Sequence, residues 1–70
     1  MRVTYDPEAD AAYVYLTDRD LQPGRDTVPC SDPDGATGDV FADWKDGKLV
    51  GSEVLDAKRL LPNDLLAGAG

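Results

Sequence analysis

The sequence predicts a small α+β domain: an antiparallel β-sheet of four to five strands, built from hairpins, with a short C-terminal helical segment on one face. Three observations predict it. Residues 2–16 and 39–56 each read as an alternating run, a turn and a second alternating run. The leucine-rich, helix-compatible residues come only after Asp56. The chain has 70 residues, which is one domain, residues 1–70.

The elements follow in order. Arg2-Val3-Thr4-Tyr5 is a short strand with Val3 and Tyr5 on one face. Asp6-Pro7-Glu8-Ala9-Asp10 is a turn, in which Pro7 presets φ and Asp6 can accept from amides just ahead. Ala12-Tyr13-Val14-Tyr15-Leu16 alternates strictly, with Tyr13 and Tyr15 on one face and the aliphatic residues on the other. These runs make a first antiparallel hairpin. Residues 17–24 are polar and end on a Pro23-Gly24 turn. Residues 25–30 give a third strand, and Pro29 makes it an edge strand because proline cannot donate to a ladder. Residues 31–38, with Pro33-Asp34-Gly35, are loop.

The second hairpin turns at Asp46-Gly47, a strong hairpin signal. A two-residue turn sets Lys45 opposite Lys48 and Val40 opposite Glu53. A three-residue Lys45-Asp46-Gly47 loop sets Ala42 opposite Val50 and Val40 opposite Ser52. The second register is preferred because it gathers the apolar residues on one face, although it sets Asp39 opposite Glu53. Asp56 then caps a helical turn over residues 57–60, its carboxylate at the positive end. Pro62 opens a second short helix over residues 62–67, which Gly68 ends. The expected core is Val40, Ala42, Trp44, Val50 and Val54, with Leu60, Leu61, Leu65 and Leu66 laid over it.

Composition restricts function. A chain this short buries only about 60% of its unfolded surface and yields roughly 3–5 kcal/mol of stability from one core. One cysteine forbids an internal disulfide, and the absence of histidine removes the usual nitrogen ligand of a structural zinc. A homodimer is therefore expected. The net charge of −7 repels phosphate backbones and argues against nucleic-acid binding, while suiting a basic protein partner. No apolar run approaches the ~20 residues of a membrane span. The N-terminal residues carry no signal-peptide apolar region, so a cytoplasmic protein without a membrane role is expected.

Two stretches carry a family resemblance. Val3-Thr4-Tyr5-Asp6-Pro7-Glu8-Ala9-Asp10-Ala11-Ala12-Tyr13-Val14-Tyr15-Leu16 resembles the opening of the small bacterial family catalogued as domain of unknown function 2283. There a strand runs into Tyr-Asp-x-Glu-Ala-Asp-Ala and then an apolar-Tyr-apolar strand. Residues 47–57, Gly-Lys-Leu-Val-Gly-Ser-Glu-Val-Leu-Asp-Ala, resemble the family's closing Gly-x-Leu-Val-Gly-Ile-Glu-Ile-Leu-Asp-Ala. Ser52 departs from that pattern, since its hydroxyl needs a partner where the family has an aliphatic side chain. Residues 17–38 are richer in Pro, Gly and Asp than the family pattern. The resemblance implies a small antiparallel sheet with a C-terminal helical segment and no defined activity. Some relatives resemble the antitoxin halves of toxin–antitoxin pairs.

Candidate sites are few. Asp6, Glu8 and Asp10 have the chemistry of a hard-cation site, but the glycine and distal glutamate of a calcium loop are missing, and turn stabilisation accounts for them. Cys30 has no histidine to act as its base and reads as a free thiol without a role. Asp39 and Glu53, if paired, offer a hydrolytic or metal-binding alternative. Asp39, Phe41, Leu49, Glu53 and Leu55 form a mixed face of the second hairpin, too apolar for free solvent and too charged for a dry interior, which suits a subunit or partner. Tyr13 and Tyr15 with Phe41 form an aromatic patch. The aromatic patch suits an interface as well, or else a small second core under residues 17–38. No catalytic set, metal site or cofactor is indicated. The sequence therefore predicts a non-enzymatic dimerising or protein-binding module, with an antitoxin-like protein neutralising a basic toxin as the alternative.

Overall fold

A computed structural model describes all 70 residues. Five strands, β1 (Arg2–Asp6), β2 (Ala11–Tyr15), β3 (Asp26–Cys30), β4 (Val40–Lys45) and β5 (Lys48–Leu55), precede two short helices, α1 (Ala57–Leu60) and α2 (Asn63–Ala67). The strands form one sheet in the order β1-β2-β5-β4-β3, every neighbouring pair antiparallel. The predicted α+β architecture is the observed one. The two hairpins meet along β2 and β5, which makes the family-like stretches adjacent in space. β3, with Pro29, is an edge strand, as expected of a residue without an N–H. The other edge, β1, is partly covered by Gly70, whose N–H donates to the Val3 carbonyl (3.0 Å) and whose carbonyl accepts from Tyr5 (3.2 Å).

The register sorts the side chains. Tyr5, Ala12, Val54, Val40 and Cys30 are aligned across the five strands, and so are Val3, Val14, Ser52, Ala42 and Val28. These rows lie on the face that carries the helices. Ala12, Val54 and Ala57 are buried there, with Tyr5, Val40, Leu60, Leu61 and Leu66 packed around them. The core is thin: five residues of the chain are buried, and none is a large side chain fully enclosed.

Four expectations are corrected. The second hairpin takes neither register in full. Its turn is the two-residue Asp46-Gly47 turn, both residues at positive φ (53° and 77°), with Lys45 opposite Lys48. Both positive angles fit the turn whose twist matches the flanking strands. A bulge then shifts the ladder at Asp43/Trp44, so Val40 faces Val54, Ala42 faces Ser52 and Phe41, not Asp39, faces Glu53. The apolar grouping that favoured the longer loop is thus achieved by an extra residue inside the strand. Secondly, Trp44 is no core residue but 39% exposed, at the turn end where no helix lies over it. Thirdly, the bulge sets Leu49 (41% exposed) opposite Trp44, which by alternation shares its face with Ala42, so Leu49 leaves the set with Glu53 and Leu55. Finally, the Asp56 side chain makes no cap hydrogen bond and instead accepts from Arg59 Nε (2.6 Å). The α1 amide at Lys58 is capped by Asp10 from the first hairpin (3.1 Å to Oδ1). Pro62 caps α2 from just outside it, and Gly68 ends it.

Candidate binding face

The opposite face of the sheet carries three rows. Thr4, Tyr13, Glu53, Phe41 and Pro29 are aligned across all five strands; Arg2, Tyr15, Gly51, Asp43 and Thr27 form the next row; Asp6, Ala11 and Leu55 form a shorter one. No helix covers this face. Of the sequence-predicted set, the register therefore brings together Tyr13, Tyr15, Phe41, Glu53 and Leu55. Tyr13, Tyr15, Phe41 and Leu55 are half-buried, whereas Glu53 is exposed and makes no ion pair.

The rings are held by polar contacts. Tyr13 and Tyr15 pack with centroids 4.7 Å apart at an interplanar angle of 51°. The Arg2 guanidinium lies 4.0 Å above the Tyr15 ring, a cation–π contact at the rim of the face. Tyr13 leans across β5 at Gly51 and donates its hydroxyl hydrogen bond to Asp43 Oδ2. A Cβ at Gly51 would stand 2.8 Å from the ring carbon Cζ, so the position must be glycine for the ring to cross. Thr27 Oγ1, from β3, donates to the other Asp43 oxygen (2.6 Å). Arg25 Nε stands 3.8 Å from Oδ2, and its Nη1 donates to the Gln22 carbonyl (2.6 Å).

Asp43 is thus a carboxylate only 5% exposed, satisfied by two hydroxyls and neighboured by one cation. A buried carboxylate is tolerable only with such partners. The same arrangement raises the Tyr13 pKa, first by desolvation of the ring and then by the hydrogen bond to Asp43 and its negative charge. Tyr13 therefore stays a neutral donor throughout the physiological range. The cluster offers no activated nucleophile: its hydroxyls donate to the carboxylate, and the carboxylate's oxygens are engaged. What it does is lock an aromatic surface in place by side chains from β2, β3 and β4.

The remaining candidates have structural partners. Asp6 Oδ1 accepts from the amides of Glu8 (3.0 Å) and Ala9 (3.5 Å), and Asp10 Oδ1 accepts from Tyr5 Oη (2.8 Å). No three carboxylate or thiol groups converge on a metal-sized site. The Asp39 carboxylate meets Arg59 (3.2 Å), not Glu53, so the paired-carboxylate alternative is absent from the fold. The Ser52 hydroxyl finds its partner in the Phe41 carbonyl (2.9 Å). The Cys30 thiol is half-buried and makes a long contact with the Val28 carbonyl (3.7 Å).

Sequence reading missed Asp43, Thr27, Arg25 and Gly51. Two signals were present: a charged residue inside the apolar run of β4, and a glycine in the interior of β5, where close approach of another group is the usual cause.

Besides pairing along β2 and β5, the family-like stretches meet at a second junction. Ala57 N–H donates to the Asp10 carbonyl (3.0 Å) and Lys58 N–H to the Asp10 carboxylate, tying the first hairpin's turn to the start of α1. No curated protein and no solved structure is similar enough to be matched to the chain. A family model described as "Protein of unknown function (DUF2283)" matches residues 2–58, which span all five strands and the first two residues of α1, and the chain therefore belongs to that family.

Proposed function

We propose that this chain is a non-enzymatic, cytoplasmic module that pairs with a second copy of itself through the sheet face bearing Tyr13, Tyr15, Phe41 and Leu55. The observation that carries the reading is an aromatic face that no helix covers, fixed by the Tyr13–Asp43–Thr27 hydrogen bonds. Aromatic residues held in one conformation lose little entropy on binding and dominate interface energetics. Exposed Glu53, between Tyr13 and Phe41, would meet a cation of the second copy. A non-enzymatic role is supported by the unactivated Tyr13 and the fully engaged Asp43. A role apart from nucleic acid is supported by the charge of −7, and one apart from a membrane by the lack of any helix long and apolar enough to cross one. The proposal calls for no cofactor.

Sedimentation equilibrium at micromolar concentration tests the pairing. A dimer is expected, and Tyr15→Glu, which adds a charge to the face without touching Asp43, is expected to be a folded monomer. A stable wild-type monomer overturns it. The net charge favours a second reading, in which the acidic protein neutralises a small basic toxin. Co-expression with a basic product of a neighbouring gene tests that reading, and failure to rescue growth from any such product counts against it.

A further inference from the structure

A chain with 14 acidic and 7 basic residues places three of its cations around its one pocket. Arg19 comes from the β2–β3 connection, and Lys45 and Lys48 flank the β4–β5 turn. Arg2, Arg25 and Arg59 are engaged elsewhere, by Tyr15, Asp43 and the Asp39/Asp56 pair respectively. Arg19, Lys45 and Lys48 make no ion pair, although Asp20 and Asp46 lie in the same lining. Lys45 and Lys48 are moreover direct cross-strand partners, an arrangement of like charges that weakens a hairpin. The turn itself does not require it, since a glutamate at either position would relieve the repulsion. Nor is Lys45 free in solvent: the backbone at Gly24 (φ 80°) approaches it so closely that a Cβ there would stand 3.4 Å from Nζ. The connection thus folds back over the ammonium group.

We propose that this pocket binds a single phosphate group, free or as a small phosphomonoester. The phosphate would be held by Lys45, Lys48 and Arg19. The volume of about 350 Å³ fits a small molecule and excludes a folded partner. Ammonium groups serve phosphate as point charges, and a guanidinium adds directed donors. The three cations outnumber the two carboxylates of the lining, Asp20 and Asp46, so the pocket is locally positive on a chain of net charge −7, which still repels a polyanion. Asp20, Asp46 and Gln22 of the same lining provide acceptors for the hydroxyl or amine groups of an ester's remaining part. The pocket lies at the turn end of the same sheet face but shares none of its lining with Tyr13, Tyr15, Phe41 or Leu55, and the proposal does not rest on pairing.

The test is a titration of the full chain, followed by amide ¹H–¹⁵N correlation spectra, with sodium phosphate and with glycerol phosphate, each against sodium chloride of equal ionic strength. Saturable shifts are expected at the amides of residues 17–22 and 45–50. Affinity should fall about tenfold in Lys45→Gln and in Lys48→Gln, as loss of one charged phosphate contact dictates. Saturation by glycerol phosphate at equal or lower concentration than phosphate assigns a phosphomonoester, and saturation by phosphate alone assigns the free ion. Shifts that do not saturate, that chloride reproduces, or that persist unchanged in a Lys45→Gln/Lys48→Gln variant with an otherwise native spectrum overturn the proposal.

Discussion

Tyr13, Gly51 and Asp43 act as one unit although they lie on three strands. The Tyr13 hydroxyl is one of two that satisfy a buried carboxylate, so Tyr13→Phe leaves an oxygen with Arg25 alone. A loss of about 1–3 kcal/mol is expected from urea unfolding, the range for a hydrogen bond withdrawn from a buried charged group. Gly51→Ala should cost about 1–3 kcal/mol by overpacking against the Tyr13 ring. Introduced together with Tyr13→Ala it should cost much less, because the clash is gone; equal costs in both backgrounds would show that the ring does not cross there. The ionisation of Tyr13 gives a third readout. Its pKa is raised on folding, so the protonated form is the one the fold favours. That contribution to stability is complete below the ordinary tyrosine pKa of about 10 and is lost as pH climbs through the higher folded value. Tyrosinate absorbance should therefore show Tyr13 titrating late, as should Tyr5, whose pKa desolvation and its hydrogen bond to Asp10 also raise. Asp43→Asn should move only Tyr13 earlier without restoring the ordinary value, because desolvation, the larger cause, remains. The sequence announced the tyrosines by alternation but not their partners. Asp43 is local to β4, while its donors come from β2 and β3, and no periodicity links positions 13, 27 and 43.

Among the elements, the strands were legible and their register was not. Alternation located β1, β2, β4 and β5 to within a residue, and Pro29 identified the edge strand. The bulge was hidden because an inserted residue leaves the pattern on either side intact while exchanging faces beyond it. That exchange moved Leu49 away from the face of Glu53, whereas Trp44 keeps the face of Ala42 and is exposed because no helix reaches the turn end. The helix start was misread for a related reason. Asp56 stands where a capping carboxylate belongs, but its φ of 55° turns the side chain to Arg59, and Asp10 caps from a distant turn instead. Asp10→Ala should accordingly lower stability by about 1–2 kcal/mol, since it removes a helix cap and the partner of Tyr5 together. Asp56→Ala removes no cap and should cost less. Hydrogen exchange at Lys58 separates the two, since only the Asp10 change frees that amide.

At the scale of the molecule, one sheet and a partial helical layer make a slab of 31 × 29 × 18 Å. Its accessible surface of 4779 Å² exceeds the roughly 4,200 Å² expected of a compact monomer of its mass. The excess is what an uncovered sheet face should produce. Short length, a single thiol and no histidine already pointed to a chain with few means of reinforcing its core, and the small buried cluster of Ala12, Val54 and Ala57 agrees. If a second copy supplies the missing layer, folding and pairing share one equilibrium, and stability depends on concentration. The thermal midpoint should then rise measurably between micromolar and hundredfold higher concentration. In Tyr15→Glu it should be lower and independent of concentration. A wild-type midpoint that stays constant across that range would mean that the thin core and the Asp43 hydrogen bonds suffice on their own, and the aromatic face would need another occupant.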